Sequence, residues 1–247
     1  MSLHEELERQ GNWLFCKRSH LPILVLAACY LDFWHSLSVP DDFFSFVRDV
    51  FPHYRYFCLG VSLAGLAVRI HTVGHSPSGT SGRNTHGQVA DTLNTTGFYS
   101  IIRHPLYFGN LLISLGIVLL TANPYFVLLF VLTFSLYYEL IMYAEEQFLI
   151  RKFPERHRSW SRDIPAFFPK FSGWKTPTEK FSLKKVLRQE KNGLVGIFGI
   201  FALFHLTELA VVARFPVYYV LLGLATASVL LYLALRAMKK SLLRDVR

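Results

Sequence analysis

The chain has 247 residues, 52% of them hydrophobic and 15% aromatic, with a positive mean hydropathy and a formal net charge of +9. That is too apolar for an ordinary soluble domain, and the apolar residues fall in long runs. The basic excess lies mostly beside those runs, where attraction to anionic headgroups accounts for it, so nucleic acid is not the expected partner.

The first 20 residues are polar and carry Glu5, Glu6 and Glu8, which argues against a cleavable signal peptide. About 20 apolar residues span a bilayer as a helix. Six runs approach that length: Leu21–Leu37, Tyr54–Val73, Leu106–Ala122, Pro124–Tyr143, Leu194–Val212 and Val217–Leu235. The first could also serve as an uncleaved targeting signal. Cys16, Cys29 and Cys58 fall in or beside the first two runs without metal-type spacing and read as small apolar fillers.

Charge orients the runs. Ile150–Asn192 holds twelve Lys or Arg against four acids, and the tail from Arg236 holds five against one. The 38–53 loop holds Asp41, Asp42 and Asp49 against Arg48 alone. The positive-inside rule then predicts an all-α polytopic membrane protein of about six helices, with both termini inside. Three parts follow: residues 1–73 with two helices, residues 74–173 with a central helical hairpin, and residues 174–247 with a basic connector and two more helices. The connector suggests a short amphipathic helix around Leu183–Leu187.

Neither an internal repeat nor the βαβ alternation of a nucleotide-binding sheet is visible. Gly60 and Gly65, and likewise Gly193, Gly196 and Gly199, read as helix-packing positions. The Gly- and Ser-rich stretch from His75 to Gly87 contains Arg83 and lacks acids; it is either a linker or a loop able to order around an anion. Asn94-Thr95-Thr96 matches a glycosylation acceptor, which an inside location would leave unmodified.

The chemistry concentrates in Gly97-Phe98-Tyr99-Ser100-Ile101-Ile102-Arg103-His104-Pro105-Leu106-Tyr107-Phe108-Gly109-Asn110 and in Glu145-Glu146. Two apolar runs that turn at Asn123-Pro124 separate them, so the hairpin brings both to one membrane face. Pro105 suits a first helical turn. Arg103 and His104 then stand beside the free N–H groups of a helix start, where an anion is favoured. Glu145 and Glu146 close the hairpin at an end unfavourable to carboxylates and require a cation. Such a site suits a zwitterion; equally, Arg103 could simply pair with Glu145 or Glu146. Glu139, inside the fourth run, is a functional candidate by its location.

Gly97-x-Tyr99-x3-Arg103-His104-Pro105-x-Tyr107-x-Gly109, the hairpin, Glu145-Glu146-x-x-Leu149, Phe153 and the Pro165/Pro169 end together resemble the isoprenylcysteine carboxyl methyltransferases and the wider integral-membrane phospholipid methyltransferases. The resemblance covers roughly residues 93–170 and implies S-adenosylmethionine held between helices at the cytoplasmic end of the hairpin. On that basis Arg103 and His104 hold the cofactor carboxylate, and Glu145 or Glu146 holds its ammonium, making Arg103, Glu145 and Glu146 the expected catalytic set. Tyr99, Pro105, Tyr107, Gly109, Asn110 and His157 complete the cofactor site, and the 151–168 tail caps the adenosine. Arg83, Glu139, Arg151 and Trp160 are expected to face a membrane-lipid acceptor, and no metal is expected. The family often has Phe-Gly-x-x-Tyr-x-x-Tyr where this chain has Phe153-Pro154-x-x-His157-x-x-Trp160, so a role for those tyrosine hydroxyls does not carry over.

An acid-free loop with Arg83 leans towards an anionic acceptor oxygen. Gly79-Thr80-Ser81-Gly82-Arg83-Asn84 and Leu93-Asn94-Thr95-Thr96-Gly97 resemble a bacterial branch that methylates the 1-phosphate of lipid A, which implies a bacterial inner membrane. Isoprenylcysteine carboxyl O-methylation and phospholipid N-methylation are the alternatives within the resemblance. His205 and Glu208, three apart on one helix face, read as a mutually satisfied pair or as substrate contacts. With Glu139 they could also be midplane charges of an ion-coupled transporter, although broken-helix repeats are not evident. A non-catalytic membrane scaffold is the remaining alternative.

Overall fold

The structure is a computed structural model that describes residues 2–38, 47, 50–51, 53–77, 79–80, 87–212 and 217–237. Arg83, the acids of the 38–53 loop and the tail beyond Ala237 lie outside the described residues. The described residues form eight helices: α1 Leu3–Lys17, α2 His20–Ser38, α3 Tyr54–Gly74, α4 Pro105–Leu119, α5 Pro124–Lys152, α6 Pro154–Ser161, α7 Leu183–Val211 and α8 Tyr219–Ala237. Among the described residues there is no strand, only an isolated bridge between Gly97 and Lys175.

Among the described residues five helices, α2, α3, α5, α7 and α8, are long and apolar enough to cross a membrane by length and composition. The third expected span, α4, has 15 residues. At 1.5 Å per residue it reaches about 22 Å, against a hydrocarbon core of about 30 Å. Conversely α5 and α7 have 29 residues each, or about 43 Å, and project beyond such a core. The connector is therefore not a separate amphipathic helix: Leu183–Leu187 is the first turn of α7.

The hairpin forms for the local reasons its sequence suggests. Pro105 opens α4, and Pro124 opens α5 behind Asn123, whose side chain accepts from the Tyr125 and Phe126 amides at 3.1 Å. The polar N-terminal segment becomes α1, started by a Ser2–Glu5 capping box. It lies antiparallel along the second half of α5, where Arg151 grips Glu8 at 2.6 and 3.0 Å and Tyr137 donates to the Leu14 carbonyl at 3.2 Å.

Helices α3 and α4 pack backbone to backbone. A Cβ on Gly65 would lie 2.5 Å from the Gly109 carbonyl oxygen and 2.7 Å from the Ile113 nitrogen. Both are backbone atoms, so no side chain can swing aside. Gly65→Ala is expected to lower stability by about 2 kcal/mol, measured as the melting temperature of the detergent-solubilised protein. Gly60, with nothing within 4 Å of its Cβ position, supplies the control, and equal melting of Gly65→Ala and Gly60→Ala would contradict the packing account. Gly60 is thus not a packing position. Nor are Gly196 and Gly199, which also meet nothing within 4 Å; of that trio only Gly193 approaches a neighbour, Leu66.

His205 and Glu208 do not satisfy one another. Both turn to Arg55 of α3: Glu208 forms an ion pair with it, and His205 Nδ1 lies 3.2 Å from its guanidinium. The other ring nitrogen of His205 lies 3.0 Å from the Tyr218 backbone nitrogen. The cluster ties α7 and the start of α8 to α3.

Candidate active site

The segment before α4 is held by backbone. Gly97 has φ of +60°, a conformation that favours glycine, and its amide donates to the Lys175 carbonyl at 2.9 Å. Ser100 Oγ donates to the Gly97 carbonyl and accepts from the Lys175 amide. The Arg103 and His104 amides donate to the Pro165 and Ala166 carbonyls at 2.9 and 3.2 Å. Trp160 Nε1 donates to the Tyr99 carbonyl at 2.8 Å. The stretch from Trp160 to Lys175 therefore buttresses the motif from outside.

The hairpin brings Glu145 and Glu146 back to this block. Arg103 donates to Glu146 Oε2 at 2.7 Å, and His104 Nε2 lies 3.0 Å from Glu146 Oε1. The Tyr107 hydroxyl donates to Glu145 Oε1 at 2.8 Å, and His104 Nδ1 lies 3.5 Å from Glu145 Oε2. The imidazole thus bridges the two carboxylates and stacks on Tyr107, ring centroids 5.8 Å apart. Burial works against its charged form, but the hydrogen bonds and charges of Glu145 and Glu146 outweigh it and hold His104 above its ordinary value of 6.5. Burial, then the cations Arg103 and His104, hold His157 below its ordinary value against the pull of Glu146. Burial and the Glu145 charge push the Tyr99 hydroxyl up.

The raised His104 value sets a pH dependence. A group whose value rises on folding contributes stability that is complete below its unfolded value, near 6.5, and lost as pH climbs through the folded value. Melting temperature is therefore expected to fall between pH 6.5 and the raised value more steeply in the wild type than in His104→Asn. Identical slopes would contradict the bridging role.

A cavity of about 620 Å³ opens beside the block, within the roughly 300–1,000 Å³ of small-molecule sites. Of the expected residues, Tyr99, Arg103, His104, Pro105, Tyr107, Asn110, Glu145 and Trp160 line it. Glu146 is outside that lining and holds Arg103 and His104. Gly109 is spent on contact with α3, and Arg151 on Glu8. Glu139 is exposed on the outer face of α5, and His157 is buried behind the block. Two buried nitrogens here have no hydrogen-bond partner: Arg103 Nε and His157 Nε2.

Sequence reasoning missed a second charged cluster in the cavity. Arg69 of α3 donates to Glu190 of α7 from Nε at 2.9 Å and Nη2 at 2.7 Å, and to Asn110 Oδ1 from Nη1 at 2.7 Å. All three side chains line the cavity, as do Arg18, Tyr138 and Gly193. A guanidinium inside an apolar run is itself a signal; its partner, 121 residues away, is not one that spacing can reveal. Among the described residues no group of three or more His, Cys, Asp or Glu side chains is placed to hold a metal ion.

Residues 56–156 match the family model described as phospholipid methyltransferase. The chain is 41% identical over 86 residues to the cobalt-zinc-cadmium resistance protein CzcN of Cupriavidus metallidurans, covering 35% of this chain and 39% of that protein. It is 37% identical over 86 residues to the nickel-cobalt-cadmium resistance protein NccN of Alcaligenes xylosoxydans xylosoxydans, covering 35% and 40%. The chain thus spans about two-fifths of the length of the curated relatives it matches. No solved structure matches it. With its five apolar helices, the family match identifies an integral membrane protein.

Proposed function

We propose that this chain, whose residues 56–156 match the phospholipid methyltransferases, is a membrane methyltransferase that uses S-adenosylmethionine and acts on an anionic oxygen of a lipid headgroup. The observation that carries the reading is the set of side chains at one end of the cavity. Arg103, with its Nε unpartnered, suits a carboxylate, and the Glu145 carboxylate facing the same space suits an ammonium. Methyltransferases of this family generally use that cofactor, whose methionyl end carries both groups.

Glu145 rather than Glu146 would meet the ammonium, because Glu145 faces the cavity. Glu146 would act through Arg103 and His104, fixing their orientation. Tyr107 would hold Glu145 in place, and Tyr99, Asn110 and Trp160 would wall the remainder. The bound cofactor supplies a methyl group on a positively charged sulfur. An acceptor oxygen already ionised near neutral pH needs no base, so no carboxylate of the chain has to take a proton. The residues' task is to align the reactants and exclude water. Glu139 faces outward, and His205 and Glu208 are engaged by Arg55, which leaves the transporter reading without support.

The test is equilibrium binding of S-adenosylmethionine and S-adenosylhomocysteine to detergent-purified protein by calorimetry. One-to-one binding of both, each displacing the other, is expected. Absence of binding in folded protein would overturn the reading.

A further inference from the structure

A second cavity, of about 370 Å³, adjoins the first and has a different chemistry. Its lining includes His71, Thr92, Asn94, Thr95, Thr96 and Arg156. Hydroxyls dominate it, joined by the Asn94 amide, and one carboxylate, Glu179, also lines it. The Arg156 side chain reaches this lining, and the buried Nδ1 of His71 has no hydrogen-bond partner among the described residues. The two cavities share one wall, formed by Thr92, Leu93, Asn94 and Tyr99. A ligand seated in the second is therefore separated from the first by the thickness of a side chain. Neutral hydroxyls beside a guanidinium are the donor set of a phosphorylated polyol, since each hydroxyl both donates and accepts and arginine matches phosphate oxygens.

The surroundings point to the source of such a group. The chain from Phe168 to Phe181 runs beside this cavity: Trp174 packs on His71 and Phe98, and Phe181 on His75. Four of its large side chains remain turned outward, Phe168 74%, Phe171 77%, Trp174 46% and Phe181 47% exposed, among the exposed Lys170, Lys175 and Lys180. Aromatic rings interleaved with lysines mark chain that lies at the level of anionic headgroups.

We propose that the second cavity seats the phosphate- and hydroxyl-bearing headgroup of the acceptor lipid, beside the cofactor cavity. This rests on the acceptor half of the function proposed above. The test uses purified protein in nanodiscs, with glucose 1-phosphate as soluble probe and phosphatidylinositol or phosphatidylcholine as the lipid. Saturable binding of glucose 1-phosphate is expected, weakened about tenfold by Arg156→Ala and by a smaller factor by Thr95→Val, with S-adenosylmethionine affinity unchanged in both. Phosphatidylinositol in the disc is expected to displace the probe, and phosphatidylcholine is not. No binding, or equal binding by wild type and both variants, would overturn the proposal. Binding that phosphatidylinositol fails to displace would identify a free sugar phosphate as occupant and overturn the headgroup assignment. If glucose 1-phosphate binds as expected while S-adenosylmethionine does not bind at all, the cofactor reading falls and the site stands.

Discussion

Arg103→Ala is expected to weaken S-adenosylmethionine binding about 100-fold, or roughly 3 kcal/mol, the scale of removing one member of a charged contact in a desolvated site. The Arg103 amide is fixed to Pro165 and its guanidinium to Glu146 at 2.7 Å, so the side chain reaches the cavity already oriented and little ordering entropy is lost on binding. Arg103→Lys keeps the charge but not the planar fork, and an intermediate loss is expected. Glu146→Gln should weaken binding less than Arg103→Ala, because its carboxylate acts through Arg103 and His104. Glu145→Gln should weaken it more than Glu146→Gln, because Glu145 faces the ligand. Calorimetry on folded variants measures each. Wild-type affinity in Arg103→Ala would remove the block from the site.

Glu190→Ala is expected to be the most destabilising single change, by about 3–5 kcal/mol, because it leaves a buried guanidinium without its carboxylate. Glu190 and Arg69 have side-chain exposures of 4% and 18%, and three of the five arginine donors are spent on Glu190 and Asn110. The pair joins α7, which lies outside the matched segment, to α3 and α4 within it. Replacing both partners, Arg69→Met with Glu190→Leu, should restore much of the loss, since a well-packed apolar pair often equals a buried ion pair in stability. Thermal unfolding in detergent reads both. A Glu190→Ala protein melting within a degree of wild type would mean that the pair carries no stability.

Much of this site was legible before the fold was known. Arg103, His104, Tyr107 and Glu145 could be brought together from the sequence because a proline-started hairpin returns the chain to its starting face, whatever its exact length. Helix ends were less legible. Hydropathy locates the apolar run, whereas α5 continues through Ala144-Glu145-Glu146-Gln147-Phe148 and α7 begins eleven residues before Leu194. Those extensions are built of good helix formers, whose propensity does not depend on the membrane. Partners were the least legible. Arg55 and Arg69 are visible as charges in an apolar run, but their carboxylates lie 153 and 121 residues away, on a helix that only tertiary packing brings near. The same blindness made His205 and Glu208 look like each other's partners and turned attention to Glu139, whose face of α5 points away from the cavity.

The decisive measurement is transfer of labelled methyl from S-adenosylmethionine, by detergent-purified protein, to a panel of lipid A, phosphatidylethanolamine and a farnesylated cysteine analogue. Label in lipid A, whose terminal phosphate monoester carries ionised oxygens at the membrane surface, abolished by Arg103→Ala, is the predicted result. Label in none of them, with folded protein and saturating cofactor, would contradict the account.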